Sequence, residues 1–126
     1  MLDLRNKFKN KAILIYGYGK SGIASFKYLN QNNKVLIFDD NKKLKKSNFI
    51  SLNKVKKIKF DYIIISPGID IKRCSLKKYL HKLKKKIITD LDVFYAENLS
   101  NLKIAITGTN GKSTTAELLF KILKFH

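Results

Sequence analysis

Two glycine-rich loops carry most of the chemistry that the sequence can support. The first is Gly17-Tyr18-Gly19-Lys20-Ser21-Gly22, which follows the apolar run Ala12–Tyr16. Glycines at this spacing, between a strand and a helix, let the chain turn tightly and let backbone N–H groups approach a phosphate at the helix N-terminus. Asp39 and Asp40 end the next apolar run, where an acid meets a ribose hydroxyl in nucleotide-binding α/β folds. A nucleotide-like ligand at the strand ends follows, with NAD and a UDP-linked sugar both open. The second loop is Gly108-Thr109-Asn110-Gly111-Lys112-Ser113-Thr114. Backbone N–H groups there would cradle a β-phosphate, Lys112 would neutralise β/γ oxygens, and the Ser113 hydroxyl would ligate Mg²⁺. A strict Walker A motif has a glycine where this chain has Ile106, so the loop is a shorter variant. It reads as a site for a nucleoside triphosphate. Between the two loops lies Ser66-Pro67-Gly68, either a plain turn or a third lining segment with Ser66 donating to a phosphate or sugar.

These loops need a scaffold that gathers strand ends on one edge. Apolar runs at 12–17, 34–38 and 61–65 alternate with amphipathic stretches, the pattern of an α/β fold with a parallel sheet. Tyr62-Ile63-Ile64-Ile65 reads as buried on both faces. Helices are expected over 21–31, 75–86 and 90–98, the last with Leu91, Phe94 and Tyr95 turned inward. Short strands are expected at 48–52 and 87–88. After a linker at 98–101, a new strand at 102–107 would lead into the second loop and a helix at 114–124. The fold class is thus a Rossmann-like parallel sheet with flanking helices, occupying residues 1–98. Residues 99–126 then form the first strand, phosphate loop and helix of a truncated second domain.

Composition narrows the classes. The chain has 126 residues, a formal charge of +18 and 44% hydrophobic residues, which suits one ordered domain rather than disorder. Arg5 and Arg73 are the only arginines, so 25 of the 27 basic residues are lysine. Base and phosphate readers lean on the arginine fork, so the charge reads as a proteome-wide drift and no specific nucleic-acid partner is expected. No apolar run approaches the ~18 residues that span a bilayer. Cys74 is the sole cysteine, which fits a reducing cytoplasm and an inert thiol. His81 sits among lysines and reads as solvated; His126 is not promoted to a metal ligand.

Taken in order, Gly17–Gly22, Asp39-Asp40, Ser66-Pro67-Gly68-Ile69, Asp90-Leu91-Asp92-Val93-Phe94 and Ala105–Thr114 resemble the Mur ligases. These are ATP-dependent amino-acid ligases of peptidoglycan precursor synthesis, and the likeness covers essentially the whole chain. Asn110 with Ser113, together with Ser66-Pro67-Gly68, favours the branch that adds D-glutamate to UDP-N-acetylmuramoyl-L-alanine. The resemblance implies that residues 1–98 hold the UDP part of that substrate. Gly19, Lys20 and Ser21 would face its diphosphate, Asp39 and Asp40 would lie near uracil and ribose, and Ser66, Pro67 and Gly68 would line the cleft. Members often carry an arginine where Asn41 stands. Residues 108–114 would bind ATP, with Lys112 catalytic and Ser113 on Mg²⁺, in a reaction that passes through an acyl phosphate. The family also needs a metal-binding glutamate and histidine, a carbamoylated lysine and an amino-acid-binding domain. These would lie beyond residue 126, so the isolated chain is expected to bind without turnover, as a cytoplasmic monomer off the membrane.

Overall fold

The computed structural model describes residues 7–41 and 46–125. The lysine-rich stretch 42–45 and His126 lie outside the described residues. Four strands, β1 (Ala12–Tyr16), β2 (Lys34–Phe38), β3 (Tyr62–Ile65) and β4 (Ile87–Ile88), form an all-parallel sheet in the order β2-β1-β3-β4. The helices are α1 (Lys20–Leu29), α2 (Leu52–Lys57), α3 (Lys77–Lys82), α4 (Asp90–Glu97) and α5 (Lys112–Lys124), with a 3₁₀ turn at Lys84–Lys86. Among the described residues no helix is long and apolar enough to cross a membrane.

Strand alternation divides the core in two. Ile13 and Ile15 join Val35, Ile37 and Ile64 beneath Leu29 of α1 and Val93 and Ala96 of α4. Leu14 and Tyr16 face the other way, with Ile63 and Ile65, against Val55 of α2 and Leu76 and Leu80 at α3. Because both faces are covered, β1 and β3 read as continuous apolar runs rather than alternating ones. Truncating a fully buried member such as Ile63 to alanine would cost about 2–5 kcal/mol. The chain leaves β1 through α1 toward one side and returns from β2 through α2 to β3 on the other. The sheet order therefore reverses between β1 and β3, and a crevice opens there at the carboxyl ends of the strands.

Four sequence expectations change. Residues 48–52 form no strand; Phe49 makes a single parallel bridge to Ile37, and α2 begins at Leu52. The Leu52/Val55/Ile58 spacing of that helix is hidden among lysines, yet Val55 is fully buried. The expected helix over 75–86 stops at Lys82 and tightens into 3₁₀ geometry, because the chain must re-enter the sheet at Ile87. In α4 the inward residues are Val93 and Ala96, whereas Leu91, Phe94 and Tyr95 are 72%, 57% and 59% exposed. A side chain at every third or fourth position satisfies either stripe, and α4 packs its small residues toward α1. Finally, residues 102–107 adopt no strand: a strand exists only against a partner, and none of the four-stranded sheet's members pairs with this segment. Helix α5 buries none of its residues, and Phe120, Ile122, Leu123 and Phe125 all stand in solvent.

Candidate functional site

The crevice between β1 and β3 is built from the backbone outward. The Gly17 N–H donates to the Phe38 carbonyl at 2.9 Å and the Ser66 N–H to the Tyr16 carbonyl at 2.9 Å, so the ends of β1, β2 and β3 are tied side by side. Gly17 has φ +95°, and a Cβ there would lie 2.8 Å from Ser66 Oγ. Gly22 is excluded from carrying a side chain more strongly still, since its Cβ would fall 2.0 Å from the Gly17 carbonyl oxygen. Both glycines thus serve conformation and close helix–strand packing. Gly19 differs. It sits at the N-cap of α1, and nothing lies within 4 Å of its would-be Cβ. The space above Gly19, at the start of a ten-residue helix whose first N–H groups lack intrahelical partners, is where an anion fits.

The side chains around the crevice are already engaged with one another. Asp39 accepts from the Tyr18 N–H at 2.7 Å and from the Asn41 N–H at 2.8 Å, so it shapes the first loop from the end of β2. Ser66 Oγ donates to the Gly17 carbonyl at 2.9 Å. Its hydroxyl proton is therefore committed to the loop rather than to a ligand, although the oxygen can still accept. Ser66 to Ile69 closes a β-turn, with the Ile69 N–H 3.0 Å from the Ser66 carbonyl, and Pro67 and Gly68 project from it into solvent. Lys20 is exposed at the head of α1, next to Ser21.

Two participants carry no sequence expectation of a role. Asp90, the first residue of α4, accepts a hydrogen bond from Ser21 Oγ across the α1–α4 cleft. Its position directly after the fourth parallel strand was the available signal, because ligand loops gather at those strand ends. Tyr16, the last residue of β1, donates its phenol to Asp40. Burial, and then the Asp40 bond, push the Tyr16 phenol well above its ordinary value, so it stays a protonated donor. An apolar strand gives no hint of that role. The Thr89 N–H and Thr89 Oγ1 donate to Asp92 at 2.7 and 2.8 Å, and the Asp92 N–H returns to Thr89 Oγ1 at 3.2 Å. This capping box fixes the start of α4, and so the place of Asp90.

The second loop stands apart, and its described hydrogen bonds are internal. Gly108 (φ +153°) and Gly111 (φ +76°) make the turns, and Gly111 caps α5. Lys112 Nζ donates to the Gly108 carbonyl, with the Thr109 carbonyl at 3.5 Å. The ammonium thus sits over the concavity of the loop, and Asn110, Ser113 and Thr114 are exposed around it. A phosphate fits such a loop: no Cβ intrudes at Gly111, the α5 N-terminus points into it, and Lys112 is within reach. Among the described residues no group of three or more His, Cys, Asp or Glu side chains clusters as metal ligands. A 650 Å³ hollow lined by Asn10, Lys11, Gln31, Asn32 and Asp61 lies at the amino ends of the strands. That edge has no glycine loop and no helix N-terminus from β1 or β3, so volume alone does not mark the site.

No protein-family model matches the chain. Among curated proteins, it is 37% identical over 127 residues to a UDP-N-acetylmuramoylalanine--D-glutamate ligase of Rickettsia prowazekii (strain Madrid E), covering 94% of this chain and 28% of the relative. The proteins of the same name from Wolbachia pipientis wMel and from the Wolbachia of Brugia malayi (strain TRS) are 31% and 33% identical. Each alignment covers 94% of this chain and 25% or 26% of the relative. The chain therefore spans about a quarter of the length of the curated relatives it matches. With Gly17–Gly22 at the end of β1 and Gly108–Thr114 following it in the family's order, the chain belongs to the Mur ligases and corresponds to the N-terminal part of their UDP-N-acetylmuramoylalanine--D-glutamate ligases.

Proposed function

We propose that residues 1–98 form the domain that holds the UDP moiety of UDP-N-acetylmuramoyl-L-alanine, and that residues 99–126 begin the ATP-binding domain of a D-glutamate-adding ligase. The observation that carries this reading is the crevice between Gly17–Gly22 and Ser66–Gly68, open above Gly19 at the N-terminus of α1. A diphosphate placed there meets the first-turn N–H groups of α1 and the Lys20 ammonium, while Ser21 is oriented by Asp90. Asp39, Asp40 and the Ser66-Pro67-Gly68 turn would flank the nucleoside. Their engagement with Tyr18, Tyr16 and Gly17 pre-organises the cleft, which lowers the ordering cost of binding.

In the second loop, residues 108–114 would hold the ATP phosphates, with Mg²⁺ partly on Ser113. The bound nucleotide supplies the phosphoryl group that activates the substrate carboxylate. Lys112 would leave the Gly108 and Thr109 carbonyls for phosphate oxygens and stabilise charge as it develops there. Cell-wall precursor synthesis in the cytoplasm is the setting this reading implies.

Titration calorimetry tests it directly, with UDP-N-acetylmuramoyl-L-alanine, UDP and NAD as separate ligands and circular dichroism to show that the chain is folded. Saturable binding of the first two is expected. No heat from either at millimolar ligand, or NAD binding that outcompetes UDP, would overturn it.

A further inference from the structure

Asp39 and Asp40 both follow β2, yet they are engaged differently. Both carboxylate oxygens of Asp39 serve the loops: Oδ2 accepts from the Tyr18 N–H at 2.7 Å and Oδ1 from the Asn41 N–H at 2.8 Å. Among the described residues, the bond to the Asp40 carboxylate engages Oδ2 alone, and its donor is the Tyr16 phenol. Asp40 is thus the acid at this strand end with an oxygen left to meet a ligand. In an open parallel sheet, a nucleotide seated by its phosphates on the first helix extends its nucleoside toward the end of β2.

Tyr16 is a rigid donor. Its side chain is fully buried, and its ring packs on Phe38, its register partner on β2, with centroids 5.3 Å apart. Ser75 and Cys74, on the segment that follows β3, bear on the same hydroxyl. The phenol therefore lies where the chains leaving β2 and β3 converge, and burial keeps its proton in place. Packing alone would be served by phenylalanine, and a buried hydroxyl is costly unless it is partnered. The Asp40 side chain, by contrast, belongs to a loop and has two torsions of its own. A fixed donor on one oxygen decides where the other one lies.

We infer that Tyr16 is a positioning residue that gives the nucleoside subsite its choice of base: its phenol holds Asp40 Oδ2, so that Oδ1 is a fixed acceptor for the ring imide N–H of uracil. The inference rests on the UDP reading above and goes beyond it, from a pre-organised cleft to discrimination between pyrimidines. Uracil carries a ring N–H between two carbonyl oxygens. Cytosine has a bare ring-nitrogen lone pair at that position, beside an amino group. A fixed carboxylate gains a charge-assisted bond from the first and meets repulsion from the second. A carboxylate free to turn could swing to the cytosine amino group and recover a bond. The discrimination therefore depends on the phenol and not on Asp40 alone.

Calorimetry of the 126-residue chain with UDP, CDP and inorganic pyrophosphate tests this. The wild-type chain should bind UDP about tenfold or more tightly than CDP. Tyr16→Phe keeps the ring and its packing and removes only the hydroxyl, and circular dichroism checks that it is folded. It should lower UDP affinity about fivefold and bring UDP and CDP within about threefold of each other. Pyrophosphate, which reads only the α1 end of the crevice, should bind as in the wild type. A merely structural role would weaken all three ligands alike. Asp40→Asn is the second variant, and it serves even if Tyr16→Phe does not fold. There the phenol holds the amide carbonyl and the NH₂ group meets the base, so the preference should turn from UDP toward CDP. Equal binding of UDP and CDP by the wild type overturns the inference and leaves the UDP reading standing. So does an undiminished UDP preference in either variant, or a parallel loss of all three ligands in Tyr16→Phe. No binding of UDP by the folded wild-type chain overturns both.

Discussion

Gly22 and Gly19 belong to one motif but are constrained by different things, and substituting each with alanine should separate stability from binding. In Gly22→Ala the new Cβ would lie 2.0 Å from the Gly17 carbonyl oxygen and 3.1 Å from its carbon. An ordinary C···O contact is about 3.3 Å, so the groups must part by about 1.3 Å. The oxygen cannot simply retreat, because it accepts the Ser66 Oγ bond while the Gly17 N–H is held by Phe38. The first turn of α1 must then lift from β1 and disturb the packing of buried Ser25 and Leu29. Overpacking of this kind costs about 1–3 kcal/mol. Weakening one loop hydrogen bond adds about 1 kcal/mol. The better helix propensity of alanine returns up to about 1 kcal/mol. The net loss is about 1–3 kcal/mol, or a fall of about 1 M in the urea midpoint at an ordinary slope. Gly19→Ala meets no atom within 4 Å and keeps φ −83°, which any residue adopts. Its stability should fall by no more than about 1 kcal/mol, the N-cap difference. Its methyl group, however, would occupy the approach of a diphosphate to the α1 N-terminus, so UDP affinity should fall about tenfold or more, which is at least ~1.4 kcal/mol. The reasoning is refuted if Gly22→Ala unfolds at the wild-type urea concentration, or if Gly19→Ala binds UDP undiminished in calorimetry.

Ser66→Ala removes the hydroxyl that ties the β3 turn to Gly17 and should cost about 0.5–1.5 kcal/mol, read from the urea midpoint. Thr89→Ala removes the α4 cap and should cost about 1 kcal/mol near neutral pH. It should also flatten the acid side of the stability profile in part, since alanine keeps the backbone N–H that donates to Asp92 and loses only the side-chain bond. The backbone and side-chain bonds from Thr89 hold Asp92 below the usual carboxylate range. That contribution is complete above the unfolded Asp value, about 3.9, and is lost as pH falls through the lower folded value. Urea unfolding of both proteins between acid and neutral pH checks this. The amides of 102–107, outside any sheet, should exchange with deuterium far faster than those of β1, as hydrogen exchange by NMR would show. Because the chain spans about a quarter of its relatives, D-glutamate-stimulated phosphate release from these 126 residues should stay at background in a phosphate assay.

What the sequence revealed and what it concealed divide on whether a feature is local. Gly17–Gly22 was legible because a tight turn with φ +95° and a helix start impose glycine on the spot, whatever surrounds them. The strands at 12–16 and 62–65 were legible because burial on both faces leaves no polar position to confuse the pattern. Features that depend on a partner were not. In α4 the stripes Leu91/Phe94/Tyr95 and Val93/Ala96 both have helical spacing, and only the close approach of α1 decides that the smaller pair goes inside. Ser66 looked like a free donor until Gly17 was set beside it, and Tyr16 looked like plain core until Asp40 was. The same distinction bears on the second loop. Its turn glycines and helix cap form locally, with Gly111 at φ +76° and α5 running from Lys112. The segment 102–107 has the apolar residues of a strand but pairs with no neighbour, and α5 buries nothing. A phosphate loop held by a helix alone has its donors in place but lacks the strand that would fix their position. Tight binding of a triphosphate there would require that the strand first find a sheet to join.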